Sequence, residues 1–181
     1  MSAFSVPRPD GVTYRANDPR LLNWVQATAS FGFIEAYSRY VNTLSRDEQS
    51  QAYAEGAAAS QLYGTTGAPQ STSEWQSLLR ETYPTLESSV IIFEFLEIMR
   101  SADVMPSVMR PIQRLLIRAA VDLIPPDLRL KLHLDKDGLP SAQRLMVRAV
   151  GKLADKVPIK GAPPAQASVR MGLDPSFLYR G

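Results

Sequence analysis

The sequence has 181 residues, a length typical of one domain or of one domain with a tail. Hydrophobic residues make up 45% of the chain, which excludes wholesale disorder. The chain contains no cysteine and a single histidine, His133, which excludes disulfides, thiolate nucleophiles, iron–sulfur clusters and zinc sites built on histidine pairs.

Charge is distributed unevenly, although the net charge is only +2. Residues 1–99 carry 6 basic and 11 acidic side chains, whereas residues 100–181 carry 14 basic and 7 acidic ones. This asymmetry indicates either that one half docks on the other or that the basic half meets an acidic partner. The first arrangement is commoner in a compact domain.

The sequence shows no targeting or membrane segment. The longest charge-free stretch of mainly apolar residues, residues 21–34, is too short to cross about 30 Å of hydrocarbon. The N-terminus lacks the apolar core of a signal peptide. We therefore expect a cytoplasmic protein without a transmembrane segment.

Helical patterns follow a polar, proline-rich arm. Asp18 and Pro19 are typical of a helix start, and apolar residues at helical spacing follow them. Ser45 and Glu48 form the capping-box pattern of a second helix, which is expected to end near Gly64. These features predict two long helices in the first third of the chain.

The remaining helices are marked by caps, prolines and apolar faces. Ser73 with Glu74 is expected to start a short third helix that ends before Pro84. In the helix before Pro125, the predicted inward residues are Ile112, Leu115, Leu116, Ala119, Ala120 and Leu123.

No run of residues alternates convincingly between polar and apolar, so the predicted class is all-α, with about six or seven helices. We divide the chain into a polar arm at residues 1–17, a helical domain at residues 18–157 and an extended Pro/Gly-rich tail at residues 158–181.

The last predicted helix carries four basic residues at a strict spacing of four: Arg144, Arg148, Lys152 and Lys156. Such a stripe is a candidate for binding phosphates or anionic lipid headgroups. A solvated face, partly paired with acidic residues, is the favoured interpretation. No aromatic residue interleaves the stripe, so we expect no nucleic-acid partner.

Three roles are open for His133: titration near neutral pH, metal binding, or the end of a helix. The last is favoured, because no partner ligand lies near it in sequence. Trp24 and Tyr37 share the first long helix and either line a pocket or belong to the core, and the core is the commoner outcome.

Four elements in order resemble one family: DGVTYRANDPRLLNWVQAT, LSRDEQSQAYAE, LYG and LIPPDLR. The family is that of haem-dependent oxygenases, including the MpaB oxygenases and the rubber oxygenases (latex-clearing proteins). The residues that carry the resemblance are Tyr14, Ala16, Asp18, Pro19, Trp24, Val25, Gln26, Ala27, Leu44, Ser45, Glu48, Leu123, Ile124, Pro125, Leu128 and Arg129.

The resemblance implies a globin-like helical bundle that oxidises an apolar small molecule at a haem b iron. It implies that Trp24, Gln26 and Tyr37 are candidate lining residues of the pocket, with Gln26 at a position where the family has histidine. We carry over no catalytic residue and no metal ligand. The resemblance covers the C-terminal portion of the family domain. It implies that the iron-ligating histidine lies in helices upstream of residue 11, so that this chain is shortened and inactive alone.

A second hypothesis is a non-enzymatic helical binding module. An apolar groove beside residues 21–41 would then receive a partner helix or a lipid. The groove could be covered by a separately encoded upstream half or by a second copy of the chain. Salt-sensitive binding of the basic stripe to acidic vesicles is a third hypothesis.

Overall fold

The structure is a computed structural model, and it describes residues 5–7, 13–15, 18–103, 106–157 and 161–179. Ala16 of the family pattern and the boundary at residue 158 lie outside the described residues. The chain forms two compact units. Unit 1 comprises Met1–Ala36 and Leu44–Ser88, and unit 2 comprises Tyr37–Thr43 and Ser89–Gly181.

Unit 1 begins with two short antiparallel strands, β1 (Ser5–Pro7) and β2 (Thr13–Arg15). Helix α1 (Pro19–Tyr40) follows, and its last turn belongs to unit 2. The Asp18 carboxylate accepts a hydrogen bond from the Arg20 amide at 2.8 Å, which confirms the predicted helix start.

Helix α2 (Arg46–Ser60) starts with the predicted capping box between Ser45 and Glu48. A turn of 3₁₀-helix (Gln61–Tyr63) follows, and its C-cap residue Gly64 has a φ of 82°, in the left-handed region. Helix α3 (Thr72–Thr82) begins two residues earlier than predicted, because Ser71 rather than Ser73 accepts a hydrogen bond from the Glu74 amide.

Four aromatic side chains belong to the core cluster of unit 1. Ala27, Tyr53 and Trp75 are buried there. The rings of Phe31 and Trp75 stack with centroids 4.8 Å apart, and Trp24 stacks on Trp75 at 6.0 Å. The same helical spacing that predicted an apolar face on α1 thus brings its aromatic residues onto α3.

Unit 2 contains helices α4 (Val90–Ser101), α5 (Arg110–Leu123), α6 (Pro126–Lys131), α7 (Ser141–Asp155) and α8 (Pro163–Arg170). Its core cluster consists of Leu96, Ile117, Val121 and Leu134. The described residues therefore form eight α-helices, and the predicted all-α class is confirmed. Helix α8 lies in the segment that was predicted to be extended, which is a difference from the expected tail.

The predicted inward face of α5 is wrong in part. Ala119 and Leu123 are buried as expected, but Ile112 and Leu116 are exposed. Gln113 takes an inward position instead, because its side-chain amide donates to the Met99 and Ala102 carbonyls, both at 2.8 Å. These bonds satisfy carbonyls at the end of α4.

No helix in the described part of the chain is long and apolar enough to cross a membrane.

A candidate arginine-lined site around Asp122

A buried carboxylate organises unit 2. Asp122 lies in the last turn of α5, and only 2% of its surface is exposed. Arg39 and Tyr40 reach it from the end of α1, Arg129 from α6 and Arg144 from α7. A buried charge must be paired, and here four side chains from three other helices do so.

The shortest side-chain contacts of the Asp122 carboxylate are those with Arg144. The Arg144 Nε donates to Oδ2 and its Nη2 to Oδ1, both at 2.8 Å, in a bidentate pair. Arg129 Nη1 donates to Oδ1 at 3.0 Å. Arg39 Nη1 donates to the Asp122 backbone carbonyl at 2.6 Å and lies 3.9 Å from Oδ2.

The ionised form of Asp122 is favoured by these partners. Burial by itself raises the pKa of the Asp122 carboxyl. The hydrogen bonds and positive charge of Arg144 lower it, as do the hydrogen bonds from Arg129 and Tyr40. The lowering effects are larger, so the pKa of Asp122 lies below its usual value. The hydrogen bond and charge of Asp122 also raise the pKa of Arg144.

Tyr40 stays protonated beside this carboxylate. Its hydroxyl lies 3.2 Å from both the Ala119 carbonyl and Asp122 Oδ2, and it can donate its one proton to either. Burial and the negative charge of Asp122 raise the pKa of Tyr40 to about 12. Neither group changes protonation state near pH 7, so the arrangement suits the binding of charge rather than proton transfer.

A pocket of about 440 Å³ opens beside the network. Four arginines line it, Arg39, Arg129, Arg144 and Arg148, together with Asp122 and Tyr40. The Asp122 side chain is 1% exposed, whereas those of Arg39 and Arg144 are 37% and 45% exposed. The carboxylate is therefore enclosed by protein, while guanidinium groups face solvent.

Helix α7 approaches the end of α1 closely enough to shape this pocket. Arg148 Nε donates to the Arg39 carbonyl at 2.9 Å. One turn later on α7, a Cβ atom at Gly151 would lie 2.7 Å from the Tyr40 carbonyl oxygen, a distance that real Cβ atoms essentially never show. Glycine is therefore required at position 151 for this packing.

The predicted basic stripe of α7 divides into two pairs. Arg144 and Arg148 line the pocket. Lys152 and Lys156 are exposed, and neither forms an ion pair with any residue that the structure describes. Binding of the stripe to an anionic surface stays a prediction.

The three predicted pocket residues do not line the arginine pocket. Trp24 packs in the core of unit 1, and the Gln26 amide donates to Ser30 Oγ at 3.5 Å on the same helix. Tyr37 belongs to unit 2, where burial and the charge of Asp155 raise its pKa. Their part in holding a cofactor stays a prediction.

His133 ends helix α6, as the favoured interpretation expected. Its φ of 60° lies in the left-handed region, which histidine tolerates better than most residues. Its amide donates to the Leu130 carbonyl at 3.1 Å, and the Leu134 amide donates to the Arg129 carbonyl at 2.8 Å. These two bonds form a Schellman motif.

Sequence reasoning missed Asp122 and its two partners on α1, Arg39 and Tyr40. One feature of the sequence could have indicated Asp122. It is the only acidic residue between Asp103 and Asp127, and it lies within the apolar run AAVDLIPP. A carboxylate in such a run is expected to be buried and paired. The two partners on α1 were not visible, because they lie 82 and 83 residues away in the sequence.

Comparison with known proteins supplies the family. The model of the catalytic domain described as "ER-bound oxygenase mpaB/B'/Rubber oxygenase" matches residues 3–155. No curated protein and no solved structure matches the chain significantly. The match covers most of the sequence, including every residue of the arginine-lined site. The chain therefore belongs to the family of the mpaB and rubber oxygenase catalytic domains.

Proposed function

We propose that this chain works as part of an oxygenase that acts on an apolar substrate at a haem b iron, and that these 181 residues do not themselves ligate the iron. The family match over residues 3–155 carries the first part of the proposal, since the family is one of oxygenases and includes the rubber oxygenase. When bound, haem would supply the oxygen chemistry, and the protein would supply the pocket.

The described residues do not fit an axial-ligand site, and this supports the second part. Haem iron in proteins is held by histidine, cysteine or tyrosine, and methionine serves as a second ligand beside a histidine. His133 is exposed and occupies the turn that ends α6, and the chain has no cysteine.

The buried tyrosines are also poor candidates. Iron ligation by tyrosine uses the phenolate, which a raised pKa disfavours. Burial and the charge of Asp122 raise the pKa of Tyr40 to about 12. Burial and the charge of Glu35 also raise the pKa of Tyr53. The arginine pocket is cationic, so it does not suit an apolar substrate either.

The test is a titration of the purified chain with haemin, followed by Soret absorbance. We expect no saturable one-to-one Soret band. The matched variant is His133→Gly, because glycine adopts the same backbone conformation freely and removes the imidazole without disturbing the end of α6. A stoichiometric band in the parent chain that His133→Gly abolishes would overturn the second part and assign His133 as the ligand.

Oxygen uptake separates the two parts of the proposal. With haemin and rubber latex, we expect no uptake by the 181-residue chain alone. A helical polypeptide that supplies the iron-ligating histidine implied by the family resemblance, added in trans, is expected to restore both the Soret band and the uptake. If the band returns without uptake on latex or on any other apolar substrate, the oxygenase function is wrong for this chain.

The alternative of a non-enzymatic binding module is not favoured by the family match. Val25 and Phe33 of α1 are 62% and 78% exposed, but nothing identifies a partner for them.

A further inference from the structure

The arginine pocket holds more positive charge than its carboxylate can neutralise. Arg39 interacts with further residues, so it is left out of the count. Among the other described residues that line the pocket, Arg129, Arg144 and Arg148 carry a guanidinium group and only Asp122 carries a carboxylate, an excess of two positive charges. Like charges held this close repel one another, which disfavours the arrangement unless an anion is present. Asp122 is enclosed by protein, so the unbalanced charge faces the open side of the pocket.

Several donors in the pocket are left over after the internal bonds are made. Arg144 uses Nε and Nη2 on Asp122, which leaves Nη1. Arg148 uses Nε on the Arg39 carbonyl, and its two terminal nitrogens make no bond to the residues that the structure describes. The bidentate bond of Arg144 and the backbone bond of Arg148 fix the directions of both guanidinium planes.

The start of helix α7 borders the same pocket. Ser141, the first residue of this 15-residue helix, lines the pocket, and the residue before it is Pro140, whose side chain offers no cap. The positive end of the α7 dipole thus adds to the charge of the arginines. Two independent features, leftover guanidinium donors and an uncapped helix start, converge on one concave surface.

We propose that this pocket binds a phosphate group, either as free phosphate or as the headgroup of a phosphate-monoester lipid. A phosphate monoester carries close to two negative charges at pH 7 and presents three oxygens that accept from several directions. It therefore matches an excess of two positive charges better than a single carboxylate does. Planar guanidinium forks bind such oxygens in pairs. This site does not depend on the proposed oxygenase function, because it requires no haem.

The primary test measures thermal unfolding in inorganic phosphate against chloride of the same ionic strength. Arg148→Gln removes one pocket charge without unpairing Asp122, and Lys152→Gln removes one charge from the next turn of α7, outside the pocket. We expect phosphate to raise the midpoint saturably in the parent chain and in Lys152→Gln. In Arg148→Gln, the affinity for phosphate should fall about tenfold or more.

Two results would overturn the proposal. One is a parent chain whose midpoint does not respond to millimolar phosphate beyond the chloride control. The other is an equal loss of affinity in Arg148→Gln and Lys152→Gln, which would mean diffuse attraction to a basic surface. Circular dichroism of both variants, recorded without phosphate, checks that each retains the parent helix content.

Vesicle sedimentation distinguishes the two sources of phosphate. Vesicles of phosphatidylcholine containing phosphatidic acid are compared with vesicles of phosphatidylcholine alone. Sedimentation with phosphatidic acid that free phosphate competes away and that Arg148→Gln abolishes supports a lipid headgroup. A thermal response to phosphate without sedimentation supports a soluble phosphate compound. Sedimentation that neither phosphate nor Arg148→Gln changes contradicts a role for the pocket in lipid binding.

Discussion

Asp122 has an unusual share of the polar interactions of unit 2. One carboxylate accepts from Arg144, Arg129 and Tyr40, and its backbone carbonyl accepts from Arg39. Removing a charge of this kind from water is costly, and the cost is offset only when the partners are well placed. The contribution of the network therefore depends on its completeness more than on any one bond.

The first prediction concerns the loss of this carboxylate charge. Asp122→Asn should lower the free energy of unfolding at pH 7 by about 2–4 kcal/mol, because it leaves clustered guanidinium groups without a counter-charge. The control is Asp103→Asn. Asp103 pairs with Arg110 at 2.6 Å, but its side chain is 82% exposed, so its loss should cost about 0–1 kcal/mol. Urea unfolding of both variants measures the difference, and equal losses would contradict the argument.

The same residue predicts a pH dependence. The pKa of Asp122 is lower in the folded protein than in the unfolded chain, where aspartate has a pKa of about 3.9. Between those two values the unfolded chain binds more protons, so stability falls as the pH falls. The contribution of Asp122 is complete above about pH 5 and is lost progressively as the pH falls through the unfolded and then the folded pKa. The gap between parent and Asp122→Asn should therefore be constant from pH 5 to 7 and should close in acid.

For individual residues, the sequence predicted local backbone conformation better than it predicted which side chains contact one another. The end of α6 at His133 was expected, and the left-handed turn at Gly64 was located, because both depend on neighbouring residues. Arg144 and Arg148 were recognised as a basic stripe, but their pairing with α5 and α1 depends on helix packing that no local pattern encodes.

At the scale of elements, helix α7 packs closely against the end of α1: a Cβ atom at Gly151 would lie 2.7 Å from the Tyr40 carbonyl oxygen. Gly151 lies in its interior, where glycine normally destabilises a helix by about 1 kcal/mol relative to alanine. Here the Tyr40 carbonyl occupies the space that a Cβ atom would need. Helix propensity therefore favours alanine at position 151, whereas the contact with Tyr40 favours glycine.

We predict that Gly151→Ala destabilises the protein by about 1–2 kcal/mol, because the steric cost exceeds the gain in helix propensity. Gly32→Ala is the matched control. Gly32 lies in α1, and a Cβ there meets nothing within 4 Å, so this change should stabilise the protein by about 0.5–1 kcal/mol. Thermal unfolding of both variants shows whether each substitution lowers or raises the stability of the protein. A stabilising Gly151→Ala would mean that α7 shifts away from α1 without cost.

Helix boundaries were predictable where a side chain caps them or a proline ends them. Asp18 and the Ser45–Glu48 pair are examples, because each satisfies backbone groups within four residues. Helix α8 was missed, because its two prolines suggested an extended chain. They occupy the first positions of the helix, where proline is tolerated. The inward face of α5 was partly wrong, because Gln113 takes a core position through backbone bonds.

For the whole molecule, the helical class and the family followed from the sequence, whereas the division into two units did not. The boundary between the units falls inside the continuous helix α1, after Ala36. No change in composition or proline content marks that position, so a sequence pattern has nothing to detect there.

The two units can be observed separately. Both tryptophans of the chain, Trp24 and Trp75, lie in unit 1, so tryptophan emission follows unit 1 while circular dichroism follows all helices. Each unit has its own set of contacts, and such regions commonly open separately. We predict that Asp122→Asn, in unit 2, lowers the midpoint seen by circular dichroism more than that seen by emission. Equal shifts would mean that the chain unfolds as one cooperative unit.

Sharing one carboxylate among several cations also limits how this protein can evolve. A single change at Asp122 leaves several arginines unbalanced, and a single change at Arg144 removes its bidentate bond. Joint replacement of such a network by apolar residues can be neutral, although each single step is harmful. In related sequences, we therefore expect positions 39, 122, 129 and 144 to change together or not at all.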